Sequence, residues 1–173
     1  STDAVVQVVF GHPNHELAVF GLLQRLRPHI LYLTDGGGAD RVAQTREGLA
    51  RIGLLERAHF LDYPEDSCYL ALLRRDHRFY RRIAERVAEE ITRHRATHVL
   101  CDGVEFYNPV HDVTVPVVRC ALDGSGASGA RLYEVPLVYQ RRNGSGESYE
   151  IQRPRPSRRD LQEEFVLTAE ESA

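Results

Sequence analysis

Short apolar runs alternate with longer amphipathic stretches along most of this chain. Val5 to Phe10 is almost continuously apolar and predicts a buried strand. Glu16 to Leu26 follows, with Leu17, Val19, Phe20, Leu22, Leu23 and Leu26 at a helical period, and Pro28 stops that helix. His29 to Thr34 predicts a second strand, closed by Asp35-Gly36-Gly37-Gly38. A helix is expected from about Asp40 to Ile52, with Gly53 as its C-terminal stop. Arg57 to Leu61 predicts a third strand, and Asp62 to Asp76 reads as irregular. His77 to Arg95 predicts a long charged helix with Ile83, Val87 and Ile91 inward. Thr97 to Cys101 predicts a fourth strand, and Asp102 to Asn108 a polar loop. Pro109 to about Ala121 predicts a helix in which Pro116 argues for an irregular turn. Leu132 to Gln140 and Ser148 to Gln152 flank Arg141-Arg142-Asn143-Gly144-Ser145-Gly146, which predicts a hairpin. Ser157 is placed to cap a short helix over 158–165.

Strand and helix alternate through the first two thirds of the chain. That order predicts an α/β, Rossmann-like three-layer fold with a mostly parallel sheet. The strand order 3-2-1-4-5 would make the first and fourth strands neighbours. The crevice between their carboxyl ends is then the expected ligand site. The 173 residues suit a single α/β domain, with a core over 5–122 and a C-terminal hairpin and tail over 123–173.

Composition narrows the function. A hydrophobic fraction of 42% and a charged fraction of 27% are ordinary for a globular protein. A formal net charge of −3 argues against nucleic acid as a partner, and no apolar run is long enough to span a membrane. All 22 positive side chains are arginine, so lysine-dependent phosphate loops and Schiff bases are excluded. Cys68, Cys101 and Cys120 are odd in number and lack metal-ligand spacing, so they read as reduced thiols in a cytoplasmic protein. Cys68 lies in the polar stretch, where a reactive thiol is the alternative.

The chemistry concentrates at Gly11-His12-Pro13-Asn14-His15-Glu16, directly after the first strand. His12 and His15 stand three residues apart where strand gives way to helix, a spacing that places both on one face. His111 follows the fourth strand and would land beside them under the proposed strand order. Three protein ligands and one open position describe a catalytic zinc site. Three imidazoles also suit Fe, Ni, Cu or Co. The competing reading has His12 and His15 capping the following helix. His29, His59, His77, His94 and His98 read as solvated or structural. Gly36-Gly37-Gly38 offers either an anion-binding nest or a simple turn.

These residues resemble the PIG-L/LmbE-like family of metal-dependent N-deacetylases. That family opens with a strand and His-Pro-Asp-Asp-Glu and closes its site with His-Pro-Asp-His. Here the motifs stand as His12-Pro13-Asn14-His15-Glu16 and Asn108-Pro109-Val110-His111. Thr34-Asp35-Gly36, Arg46-Glu47 with Gly53, and Leu61-Asp62-Tyr63-Pro64 resemble further family segments. The resemblance implies an LmbE-like fold and metal ligands at His12, His15 and His111, with imidazole replacing the family's carboxylate ligand. It puts Asn14 where the family has its general base and Asn108 where the family has an oxyanion-assisting histidine. It makes Arg46 a substrate contact, against the alternative of an ion pair with a helix neighbour or with Glu16.

An amide cannot accept a proton at neutral pH. Asn14 and Asn108 could still orient water or donate to an oxyanion. Asp112, Asp35, Glu105 and Glu16 are the carboxylates close enough in sequence to move a proton, and Glu105 is also a candidate substrate contact. Two functions follow as expectations. One is a zinc-dependent hydrolase of an N-acyl or related C–N bond in a small polar, sugar-like substrate. The other is a divergent scaffold that keeps the metal, has lost deacetylation, and binds a small molecule or performs other metal chemistry.

Overall fold

The computed structural model describes residues 4–124, 129–143, 146–153 and 162–170. Five parallel strands form its central sheet: β1 (Val6–Phe10), β2 (His29–Thr34), β3 (Ala58–Tyr63), β4 (His98–Asp102) and β5 (Arg131–Val135). Their spatial order is β3-β2-β1-β4-β5, the order under which β1 and β4 are neighbours. Five helices cover it: α1 (Phe20–Leu26), α2 (Ala39–Arg51), α3 (Glu65–Leu73), α4 (His77–His94) and α5 (Pro109–Gly124).

The pleat sorts side chains into two cores. Val8, Phe10, Ile30, Tyr32 and Phe60 face Leu23 of α1 and Leu49 of α2. Val9, Leu31, Leu33, Val99 and Cys101 face the other way, onto Ile83, Val87 and Ile91 of α4 and Val115 and Val118 of α5. Successive residues of one strand therefore feed opposite layers, which is why these strands are apolar on both sides. The chain winds outward from β1 to β3 on one face. It then crosses to β4 on the other. The switch point falls between β1 and β4, where the two strands leave a crevice at their carboxyl ends.

Several expectations are corrected. The stretch 62–76 is regular: β3 runs to Tyr63 and α3 occupies Glu65–Leu73. Its signal is weak because α3 has no cap of its own and exposes Leu70 and Leu73. The cap comes from a distant residue, since Asp35 Oδ1 accepts the Glu65 N–H at 3.0 Å. Cys68 is thus buried in a helix. Burial, then Glu65 and Asp35, push its thiol up to about 12, which ends its candidacy as a reactive group. The first helix opens with a 3-10 turn, His15–Val19, before α1 begins. α5 passes through Pro116 unbroken. That ring sits on the exposed face, where water can meet the carbonyl left without its N–H partner.

Residues 132–140 are not one hairpin strand. Arg131–Val135 joins the main sheet beside β4, and the hairpin is β6 (Val138–Asn143) with β7 (Gly146–Ile151), paired antiparallel. The helix expected over 158–165 falls partly outside the described residues, and Gln162 to Phe165 are not helical. That segment crosses α1 instead: the Arg25 guanidinium lies 4.3 Å from the Phe165 ring centre and donates to the Val166 carbonyl at 2.9 Å. Among the described residues no helix is long and apolar enough to cross a membrane.

Three of the histidines read as structural, His29, His59 and His94, gather at the opposite end of the sheet. His29 and His94 stack with ring centres 3.6 Å apart, and buried Glu90 accepts from His59 Nδ1 at 3.0 Å and His94 Nε2 at 3.3 Å. Burial, then His94, Arg57 and Arg93, lower the His29 pKa from 6.5 to about 4. Burial, then Arg93 and Arg57, lower that of His94 as well. The unfolded chain takes up these protons first, so stability is complete above about pH 6.5 and is lost as pH falls towards 4. The melting temperature should therefore drop across that window. His29→Phe, which keeps a flat ring against His94, should make the drop shallower; parallel melting profiles would rule this out.

Candidate metal centre

The loop after β1 is held from both sides. The Gly11 N–H donates to Asp102 Oδ2 at 2.5 Å, and its carbonyl accepts the Thr34 N–H at 3.0 Å and the Thr34 hydroxyl at 2.9 Å. The space suits glycine: a Cβ there would stand 3.1 Å from Asp102 Oδ2 and 3.1 Å from Thr114 Oγ1, tighter than most Cβ contacts. The chain then turns sharply at Asn14, whose φ of 78° is a conformation asparagine tolerates better than most residues. That turn aims His12 and His15 at the same point. His111, in the first turns of α5, reaches it from the β4 side.

The structure brings the three expected ligands together. The Nε2 atoms of His12, His15 and His111 form a triangle with edges of 3.1, 3.0 and 2.9 Å, and all three side chains are buried. Each ring's other nitrogen faces an acceptor. His12 Nδ1 meets the Pro13 carbonyl at 2.8 Å, His15 Nδ1 meets Asp102 Oδ2 at 2.8 Å, and His111 Nδ1 meets Glu105 Oε2 at 3.0 Å. A carbonyl and two carboxylates can only accept, so the network assigns the proton of each neutral ring to Nδ1. Every Nε2 then presents a lone pair to the same small volume. Three lone pairs about 3 Å apart repel unless a cation lies between them.

The donor set fits a divalent transition metal. Nitrogens bound to one tetrahedral zinc at about 2.0–2.1 Å stand roughly 3.3 Å apart, so the observed triangle is a slightly contracted version of that geometry. Each imidazole is also held by an acceptor behind it, as metal-ligating histidines almost always are. Among the described residues this is the one group of three or more metal-ligating side chains that converges in this way, and no carboxylate joins it. Burial, the neighbouring His15 and, further down, His111 lower the His12 pKa to about 3, against the opposing pull of the Pro13 carbonyl. The ring is therefore neutral and open to a metal at physiological pH.

The other candidates lie around this centre in different roles. Asn14 faces Thr45 on α2: its N–H donates to the Thr45 hydroxyl at 3.1 Å, and its Oδ1 lies 3.1 Å from that oxygen. Asn108 Oδ1 caps α5 through the Val110 N–H at 2.9 Å and accepts from Tyr69 Oη at 3.0 Å. Asp112 is occupied with the loop before it, accepting the Glu105 and Phe106 N–H groups. Asp35 accepts the N–H groups of Gly37 and Glu65. Glu16 is buried, bonded to Tyr32 Oη at 3.0 Å and to Thr45 Oγ1 at 2.7 Å. Gly36 and Gly37 direct their N–H groups to Thr34 Oγ1 and Asp35 Oδ1, which makes the glycine run a turn rather than an anion nest. Arg46 lies 4.1 Å over the Phe60 ring centre, not in the ion pair that was the alternative to a substrate contact.

Glu105 stands behind His111 rather than at the open side. Asp102, which the sequence pattern assigns to the first position of a loop, is its counterpart behind His15. The signal available for it was a carboxylate ending an otherwise apolar strand at the expected crevice. Asp102 is fully buried, and its Oδ1 has no hydrogen-bond partner among the described residues.

No protein-family profile and no curated protein matches the chain. Solved structures do. One is the conserved protein TT1542 from Thermus thermophilus, with a TM-score of 0.56 at 23% identity, covering 79% of this chain and 65% of that one. Another is the N,N'-diacetylchitobiose deacetylase from Pyrococcus horikoshii complexed with its inhibitor MPG, with a TM-score of 0.51 at 15% identity, covering 80% of this chain and 60% of that one. This chain thus spans less than two thirds of the length of either. At these identities the likeness is one of fold, and the fold is the three-layer α/β arrangement that the LmbE-like resemblance implied.

Zinc added to metal-free protein should bind at about one ion per chain, with no binding by His15→Ala. Asp102→Asn should keep the fold and weaken zinc by about 10–100-fold, because an amide no longer fixes the His15 tautomer. Competition against a chromogenic chelator measures both; unchanged affinity in Asp102→Asn would show that its contact with His15 is incidental.

Proposed function

We propose that this protein is a metal-dependent hydrolase that cleaves an N-acyl or related C–N bond of a small, polar, sugar-like molecule. The observation that carries this reading is the convergence of three lone pairs, each fixed by an acceptor on the far side of its ring. The likeness in fold to a chitobiose deacetylase supports the choice of bond. So does the place of the centre, at the switch point of a parallel sheet, where α/β enzymes bind their ligands.

In this reading His12, His15 and His111 hold one zinc ion, or a similar divalent metal. When bound, such an ion polarises a carbonyl and makes water acidic near neutral pH. Asp102 and Glu105 keep two of the rings in the ligating tautomer. Asn14 and Asn108 have their Oδ1 atoms turned to Thr45, Tyr69 and Val110, so the Nδ2 groups are what each can offer a developing oxyanion or a substrate hydroxyl. Asp35 and Asp112 act through the shape of their loops, since their carboxylates are bonded to backbone N–H groups.

The same occupancy favours a second reading. Among the described residues no carboxylate converges with the nitrogen triangle, and a dedicated acid–base group is worth about 10²–10⁴ in rate. A scaffold with that deficit could bind a small molecule, or run other metal chemistry, without deacetylation.

Release of acetate from a panel of N-acetylated sugars separates the two. If the hydrolase reading holds, the zinc-loaded protein turns over at least one of them and His15→Ala abolishes the release. A wild-type protein that is inert, with Asn14→Asp gaining at least about tenfold over it, would establish the second reading instead.

A further inference from the structure

The hairpin β6–β7 stands outside the sheet, yet its base touches both loops that carry the metal ligands. Glu105 divides its carboxylate. Oε2 takes His111 Nδ1 at 3.0 Å, while Oε1 accepts the backbone N–H of Leu137 at 2.7 Å and of Val138 at 2.6 Å, where the chain enters the hairpin. At the hairpin's other end, the Gln152 N–H donates to the Leu137 carbonyl at 3.0 Å and closes the base. The Gln152 side-chain amide donates to the Ala18 carbonyl, in the turn that begins at His15. Leu137 is buried at 4% exposure. Gln152 holds a φ of 55°, which a glutamine adopts only where its surroundings impose it.

Two residues thus join three pieces of chain: the β1 loop with His12 and His15, the β4 loop with Glu105 and His111, and the hairpin base. We infer that the hairpin base is a positioning element for the metal ligands, with Glu105 and Gln152 as its two fastenings. Docking of the base sets the orientation of the His111 ring and ties the two ligand loops together. A bound metal must in turn hold the hairpin down, because coupling between two binding events is reciprocal. This inference rests on the metal reading above.

The two fastenings can be loosened separately. In Glu105→Gln the carboxamide oxygen can still accept from Leu137 and Val138, but its NH₂ then faces His111 Nδ1. The ring proton shifts to Nε2 and occupies that lone pair, so zinc weakens by about 10–100-fold while the hairpin stays docked. Gln152→Gly touches no ligand or ligand partner. It removes the bond to Ala18 and relaxes the φ of 55°.

The experiment is amide hydrogen exchange of the wild-type protein with and without zinc, beside zinc affinities for both variants from chelator competition. Zinc should slow exchange in residues 137–143 and 146–152 of the wild type. Gln152→Gly should weaken zinc by about tenfold, the scale of outer-shell effects, and abolish the zinc-dependent slowing. Tight zinc binding with hairpin exchange unchanged by the metal would overturn the inference and leave the metal reading standing, whatever the variants do. Wild-type affinity in a folded Gln152→Gly would overturn it as well. Failure of the wild type to bind zinc would instead sink the metal reading, and this inference with it.

Discussion

Each histidine of the centre commits its Nδ1 proton to an acceptor, and much of the local structure exists to provide those acceptors. Asp102 has to end β4 fully buried, within reach of His15. It can do so because Gly11 has no side chain and brings its N–H to the same carboxylate oxygen. Glu105 has to stand beneath His111, so Asp112 gathers the N–H groups of residues 105 and 106 and folds the loop back. Pro13 serves His12 through a carbonyl that the turn at Asn14 leaves facing inward. The ligand-bearing edge of the sheet is thus organised around three hydrogen bonds, and the sheet order follows the same need. Only with β1 beside β4 do residues 12, 15, 102 and 111 meet.

Charge is arranged in an unusual way for a site of this kind. The layer of three imidazoles is itself neutral, with no carboxylate among the converging atoms of the described residues. Two negative groups return one layer out, as Asp102 and Glu105. Their effect on a cation is weaker through the ring than by direct contact, and stronger than in water because both are almost completely buried. The centre therefore combines a neutral inner layer with an anionic outer one, while the amides at Asn14 and Asn108 help to shape the protein around it.

The layered parallel fold and the three histidines that converge were legible from patterning and from two short motifs, because each depends on local periodicity and on residue types that rarely coincide, whereas the order 3-2-1-4-5 entered as a condition that the structure meets. Asp102, Glu105 in its true role, and Thr45 were not. A carboxylate behind a histidine is chosen by its reach across strands or loops, and nothing near it in sequence records that partnership. α3 was missed for a related reason. Its cap is Asp35, from the end of another strand, and its exposed leucines blur the amphipathic period. β5 was merged with the hairpin because Pro136 and Leu137 separate two apolar stretches without a conventional turn signal. The error mattered, since that junction is where the hairpin meets Glu105.

The order of ligands along the chain bears on how the centre comes into being during synthesis. His12 and His15 leave the ribosome before the other donors, just after the strand in the middle of the sheet. β4 and His111 follow only after four helices and two strands, and Leu137 later still. Two imidazoles on an unpaired strand make a poor binding site, and β1 lacks one of its neighbours until β4 is made. The nascent chain thus carries an incomplete donor set until β4 and His111 have been made. A metal held by all three imidazoles could be taken up only after β1 pairs with β4, a parallel contact across a long sequence separation.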